Sequence, residues 1–388
     1  MITTVSSAAA LQTALAAAHG GDTILLAAGT YSNISISGKN FAQDVTIGSA
    51  STTHEALLTG LTVTSSSGLN FRDLEVKLSP SSDKLIIAGS HDIDLTRLNV
   101  HGSLDGDPQN DTAGLLVRSS VNVTVTNSEF HELSNGISHL DDSHLTISGN
   151  RIHDISQDGI HGGGSSYVTI SNNMFTDFHP TPGVHPDAIQ FWTTGTDASA
   201  HDIVITGNQI TRGAGEKAQG IFIGDETSHL PYQHLTISNN LVAGSMYNGI
   251  AVSHAEDVTI TRNIVAGFSD MKAWILMQNI TGATETDNFA DQFSNNTNTG
   301  VISARNTIIP LATDGGVGAL AQWTAQQGAT TIFKAAETFD TNATTTSSAM
   351  SDLGTATHDT ATVTYSDIHA EDFAAQMIPT FGDHWLMA

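Results

Sequence analysis

One segment of this chain recurs as VTVTNSEF, LTISGNRI, VTISNNMF, IVITGNQI, LTISNNLV and VTITRNIV, beginning at Val123, Leu145, Val168, Ile203, Leu235 and Val258. Each copy alternates apolar and polar residues over its first four positions, the period of a strand with one buried face. A second segment recurs as GLLV, GISH, GIHG, AIQF, GIFI and GIAV, starting at Gly114, Gly136, Gly159, Ala188, Gly220 and Gly249. Successive starts lie 22, 23, 29, 32 and 29 residues apart, with no helical pattern between them. Such a repeat predicts an all-β solenoid, the coil of a right-handed parallel β-helix. Asn occupies one slot of the first segment at Asn150, Asn173, Asn208, Asn240 and Asn263, and the slot is expected again at Asn306. Five copies in register predict an internal ladder, each amide bonding to the next coil and to turn backbone.

The repeat carries little charge. The 388 residues include 39 acidic and 13 basic side chains, for a formal net charge of -26. Such a field repels phosphate backbones and anionic headgroups, so neither nucleic acid nor a membrane is an expected partner. A polyanionic substrate would need a local basic patch or a bridging cation. With no cysteine, disulfides and thiolate metal sites are excluded. The N-terminal stretch lacks the basic region of a secretory leader and reads as a short amphipathic helix, Ala8 to Ala18, then a Gly-Gly-Asp turn and a strand. Past Pro310 the pattern dissolves, apart from one helix expected around Gly318 to Gln327. Residues 1–310 are therefore expected to form the β-helix and 311–388 a C-terminal segment that packs along it or caps it.

The opening GDTILLAAGTY, the G-I-x strands and the Asn-bearing strands resemble the pectate-lyase-like parallel β-helix superfamily over roughly residues 1 to 310. That superfamily includes polysaccharide lyases, polygalacturonase-type hydrolases, alginate C5-epimerases and phage tailspikes. The resemblance implies a capping helix at the N-terminal end and a polysaccharide as partner, and leaves the reaction open. It also implies an extracellular or cell-surface protein; a tailspike-like module would trimerise, whereas a monomer is expected for the enzyme readings.

The repeat is interrupted by HPTPGVHPDAIQFW, from His179 to Trp192. From the Asn slot to the next G-I-x start the gaps are 9, 15, 12 and 9 residues, and the return gaps are 14, 14, 20, 20 and 14. Insertions on both sides fall on the same two coils, which predicts a cleft walled by residues 174–187 and 209–219. The residue after each inward Ile faces out, giving the column Leu116, Ser138, His161, Gln190, Phe222 and Ala251. The residue before each start reads Ala113, Asn135, Asp158, Asp187, Gln219, Asn248 and Lys272. Strict alternation turns this column inward, but it sits at a bend, and an aspartate there faces the cleft in polygalacturonase-type relatives. Asp158 and Asp187 would then stack roughly 5 Å apart.

Three readings of that pair stay open: acid and nucleophile of a retaining glycosidase, ligands of a Ca²⁺ that bridges a uronate, or aspartates bonded to their own turns. His161 and His185 are candidate bases, with His179 at the start of the inserted loop. In lyases of the superfamily a Lys or Arg removes the C5 proton, which by location points to Lys217, with Arg212 beside it. Gln190, Trp192, Arg212, Phe222 and Tyr247 are candidates for substrate contacts. The leading expectation is β-elimination of a uronate-containing polysaccharide. Hydrolysis by paired aspartates, C5-epimerisation and a non-catalytic glycan-binding or tailspike-like β-helix are the alternatives.

Overall fold

The computed structural model describes residues 1–51, 56–80 and 84–327. Among these, 32 strands join in one continuous sheet whose named pairings are all parallel. The central coils contribute three strands each, two of which run together in later coils such as Asn248–Thr261, and each strand pairs with its equivalent one coil away. Thus Ile160–Gly163, Ser166–Ser171 and Met174–Phe178 lie between Ile137–Leu140, Ser143–Ser148 and Arg151–Ile155 on one side and Asp187–Trp192, His201–Thr206 and Gln209–Thr211 on the other. The chain is a parallel β-helix, with the repeated Ile, Val and Leu forming one contiguous core.

The bends are set by a two-residue device. The residue before each ladder asparagine is left-handed: Gly149, Asn172, Gly207, Asn239, Arg262 and Asp287 have φ between 55 and 69°. Gly, Asn and Asp tolerate that region at low cost. The next residue then turns inward. Asn150, Asn173, Asn208, Asn240 and Asn263 are at most 2% exposed. Each carbonyl oxygen from Asn173 onward accepts from both the backbone N–H and the side-chain amide of the asparagine one coil earlier, at 2.9–3.0 Å. Each Nδ2 also donates to a strand carbonyl, such as that of Ile147 or Ile170. Asn306 joins as expected, but through Asn288, which the repeat pattern had not shown. That coil is hard to recognise because Glu285, 0% exposed, occupies the inward position that Ile260 fills one coil earlier.

The N-terminal helix, Ala8–Ala17, is capped by Ser7 and buries Leu11 and Leu15 against the first coils. The second helix, Val317–Gln327, lies along the side of the solenoid. Its Trp323 packs on Leu241, Ala243 and Ile264 and donates to the Asn239 carbonyl at 2.7 Å. The rest of the expected C-terminal segment, 328–388, lies outside the described residues.

Replacing Asn173 by Ala leaves the Asn150 amide donors and the Ile147 carbonyl without their buried partner. The expected loss is about 2 kcal/mol or more of stability, read as a lower midpoint in urea unfolding, because buried unsatisfied groups keep their desolvation cost.

Candidate functional site

Register places the outward column as the alternation implies. Leu116 pairs with Ser138, Ser138 with His161, His161 with Gln190, Gln190 with Phe222 and Phe222 with Ala251. Ser138, His161, Gln190 and Phe222 are each partly exposed, and Ala251 is 3% exposed. Trp192, on the same face, sets its ring edge-on to His161 at 5.1 Å. The inserted segments flank this floor, 179–186 and 212–218 on one side and 193–200 and 225–231 on the other. The first pair is tied by Phe178 to Glu216, and the second by Thr193 Oγ1 donating to Asp225 at 2.6 Å.

His161 is held at both nitrogens. Its Nδ1 lies 3.1 Å from Asp158 Oδ2 and its Nε2 2.6 Å from Ser138 Oγ. A carboxylate can only accept, so Nδ1 carries the proton and Nε2 presents a lone pair to the Ser138 hydroxyl. Asp158 is itself fixed, its other oxygen accepting from the Asp187 backbone N–H at 2.8 Å and its own N–H donating to Asn135 Oδ1.

His185 is held in the opposite state. The indole N–H of Trp274, which only donates, bonds to Asn248 Oδ1 at 2.9 Å. Asn248 Nδ2 must then donate, and does, to Gln219 Oε1, while Gln219 Nε2 donates to His185 Nδ1 at 3.1 Å. Neutral His185 therefore keeps its proton on Nε2 and offers a donor. Gln219 is the register partner of Asp187. Trp274, not Lys272, thus continues the column after Asn248. Tyr247 stacks on Trp274 with ring centroids 5.6 Å apart.

The expectation that both aspartates face the cleft holds for Asp158, whose side chain is 17% exposed, and fails for Asp187, at 1%. One Asp187 oxygen accepts from Gln190 at 3.0 Å; the other is buried with no hydrogen-bond partner. Burial, reinforced by the neighbouring charge of Asp158, pushes the Asp187 carboxyl well above the usual carboxylate range. A sealed Asp187 cannot reach a glycosidic oxygen, so the paired-aspartate glycosidase geometry is not formed. Nor does the pair fit Ca²⁺, which takes six or more oxygens. Both Asp158 oxygens already accept N–H bonds, and Asp187 is sealed. Among the described residues the carboxylates that do gather in a group of three are Asp105, Asp111 and Glu132, elsewhere on the chain.

Lys217 and Arg212 lie in the wall rather than on the floor. Both pair with Asp270, at 3.1 and 3.0 Å, and Arg212 also lies over the Phe268 ring at 4.7 Å. They line a pocket between the loops with Pro180, Val184, Glu216 and Met246, a lining that does not include His161. The cation of the floor is one that the sequence reading missed. Arg118 falls two residues after Leu116, so alternation puts it on the same face, diagonal to Ser138. Arg72, Arg97, Arg151, Arg212 and Arg305 are ion-paired; among the described residues exposed Arg118 has no acidic partner.

Fold and register together define a β-solenoid with a polar, histidine-bearing face. Residues 59–265 match the family model described as "right handed beta helix region", and the chain belongs to that family. No curated protein matches its sequence. Similar solved structures include an alginate lyase from Paenibacillus sp. str. FPU-7, 18% identical, covering 79% of this chain and 99% of its own, with a TM-score of 0.49. PfbA, a surface adhesin of Streptococcus pneumoniae, is 15% identical over 76% of this chain and 88% of its own, with a TM-score of 0.52. A GH136 lacto-N-biosidase from Eubacterium ramulus is 13% identical over 76% and 63%, with a TM-score of 0.51. At these identities the likeness is one of fold.

Asp187 also gives a signed pH dependence. Its folded pKa is raised, so above the unfolded value near 3.8 the folded chain keeps a proton that the unfolded chain releases, and stability falls as pH rises. Asp187→Asn removes this dependence. Its thermal midpoint should exceed that of the parent protein at pH 7, with the gap closing below about pH 4.

Proposed function

We propose that this protein is an enzyme that cleaves an acidic, uronate-containing polysaccharide by β-elimination on the face bearing His161. The observation that carries this reading is the pair of histidines held in opposite tautomers around Asp187, one as acceptor and one as donor. Elimination needs a base at the sugar C5–H, a positive group near the carboxylate and a proton for the departing oxygen.

His161 Nε2 takes the C5 proton, the substrate replacing the Ser138 hydroxyl there. Asp158 then stabilises the imidazolium through Nδ1–H, as an orienting carboxylate does. Arg118 supplies positive charge to the uronate carboxylate on an otherwise acidic surface. The His161 imidazolium then passes the C5 proton to the departing oxygen, while His185 Nε2–H, a neutral donor, hydrogen-bonds the negative charge that gathers there. Trp192 and Phe222 offer apolar faces to sugar rings, while Lys217 and Arg212, tied to Asp270, hold the wall. No step is derived through calcium. An extracellular polysaccharide suits this reading, and the protein is proposed to act as a monomer.

A panel of uronate polysaccharides, followed by the ultraviolet absorbance of unsaturated uronate alongside reducing ends, tests it. Both signals should rise together with the parent protein. His161→Ala should lower the turnover rate by roughly 10²-fold or more while leaving oligosaccharide binding largely intact. Reducing ends without unsaturated product would replace elimination by hydrolysis.

A further inference from the structure

The contact at His161 Nε2 is not one that elimination requires. At 2.6 Å, Ser138 Oγ donates to an imidazole whose other nitrogen is fixed by Asp158 at 3.1 Å. A hydroxyl, a base within hydrogen-bond reach and a group orienting that base are the three parts of an activated serine nucleophile. Here they come from two adjacent coils: Ser138 from the strand Ile137–Leu140, His161 from the strand Ile160–Gly163 paired with it, and Asp158 from the bend just before.

Ser138 is reachable from solvent, being partly exposed on the outward column. An acyl-transfer site also needs donors where the carbonyl oxygen gathers negative charge. On the side of Ser138 away from His161 stands Arg118, one coil earlier and two residues further along its strand. That diagonal is about 8 Å between backbones, from a strand spacing of about 4.8 Å and a rise of about 3.3 Å per residue. An arginine spans it with five N–H donors, and among the described residues this one has no acidic partner.

We infer that Ser138, His161 and Asp158 form a second activity of this face, the hydrolysis of short O-acyl esters carried by sugar hydroxyls. It shares the site of the elimination reading but not its reaction. Ser138 Oγ attacks the ester carbonyl while His161 Nε2 takes the hydroxyl proton. The tetrahedral oxyanion sits against Arg118, and collapse breaks the bond to the sugar oxygen, which leaves with the proton from His161. Water, deprotonated by His161, then attacks the acyl-serine, releasing the carboxylic acid and restoring the Ser138 hydroxyl. Asp158 is a positioning residue throughout, holding the tautomer in which Nε2 is free to accept.

The full chain is incubated with 4-nitrophenyl acetate and with a chemically acetylated uronate polysaccharide, and released acetate is measured. Unsaturated uronate is read in the same samples. Acetate release is expected from the parent protein, with a loss of about 10³-fold or more in Ser138→Ala and in His161→Ala. Asp158→Asn, which no longer selects the tautomer, should lose a comparable factor through kcat rather than KM. Arg118→Gln should lose about 10²-fold. A fluorophosphonate probe should label the parent protein, with the added mass on the peptide containing Ser138 and none in Ser138→Ala.

Undiminished acetate release by correctly folded Ser138→Ala overturns the inference. So does a parent protein that neither releases acetate nor reacts with the probe. Unsaturated product without acetate would leave elimination standing and remove this proposal. Acetate without unsaturated product would do the reverse.

Discussion

The structure depends on hydrogen bonding from each coil to the next. Every strand has its partners one coil away, so the chain can bury its bends only if side chains there continue the bonding between coils. The asparagine column does this: one carbonyl oxygen takes two donors from the preceding coil while the amide reaches a strand carbonyl. A second bend uses hydroxyls in the same way, Ser66, Ser90 and Ser120 each donating a backbone N–H to the next coil, ending on Asp142 and Ser165. Because these columns keep successive coils aligned, outward side chains far apart in sequence meet at one strand spacing.

The third bend is where the same bonding becomes chemistry. Asn135, Asp158, Asp187, Gln219, Asn248 and Trp274 follow one another there, and their bonds run in fixed directions. An indole N–H at one end can only donate, which sets the sense of the amides and the tautomer of His185. A carboxylate further back can only accept, which sets the tautomer of His161. Two histidines with the same intrinsic chemistry are thereby given opposite roles. Asp187 lies between these two directions, sealed and short of one partner, and its raised pKa is the physical consequence.

Much of this was legible without coordinates. The period of two, the Asn slot and the spacing of the G-I-x starts imply the solenoid, and alternation from the inward Ile implies the column from Leu116 to Ala251. The enlarged loops on two adjacent coils imply where the cleft walls stand. Arg118 is within reach of the same alternation argument, two residues after Leu116, whereas loop length points to Lys217 and Arg212 instead. Asn288 was hidden for a different reason, because the buried Glu285 breaks the apolar alternation of its coil.

What the sequence by itself determined is the coil: its length, its inward face and the residues that turn its corners, since these follow from local alternation and from the φ that Gly, Asn and Asp tolerate. Only the tertiary structure decided which outward groups touch. Whether Asp187 faces the cleft or the core depends on how the bend packs, and the structure buries it. Whether Lys217 is a free base depends on Asp270, which arrives from a later coil and pairs with it. Whether His161 meets a hydroxyl depends on the register between two strands. Each of these is a contact between coils, and the coils differ in length, so the relative placement of their bends and loops is fixed only when they stack.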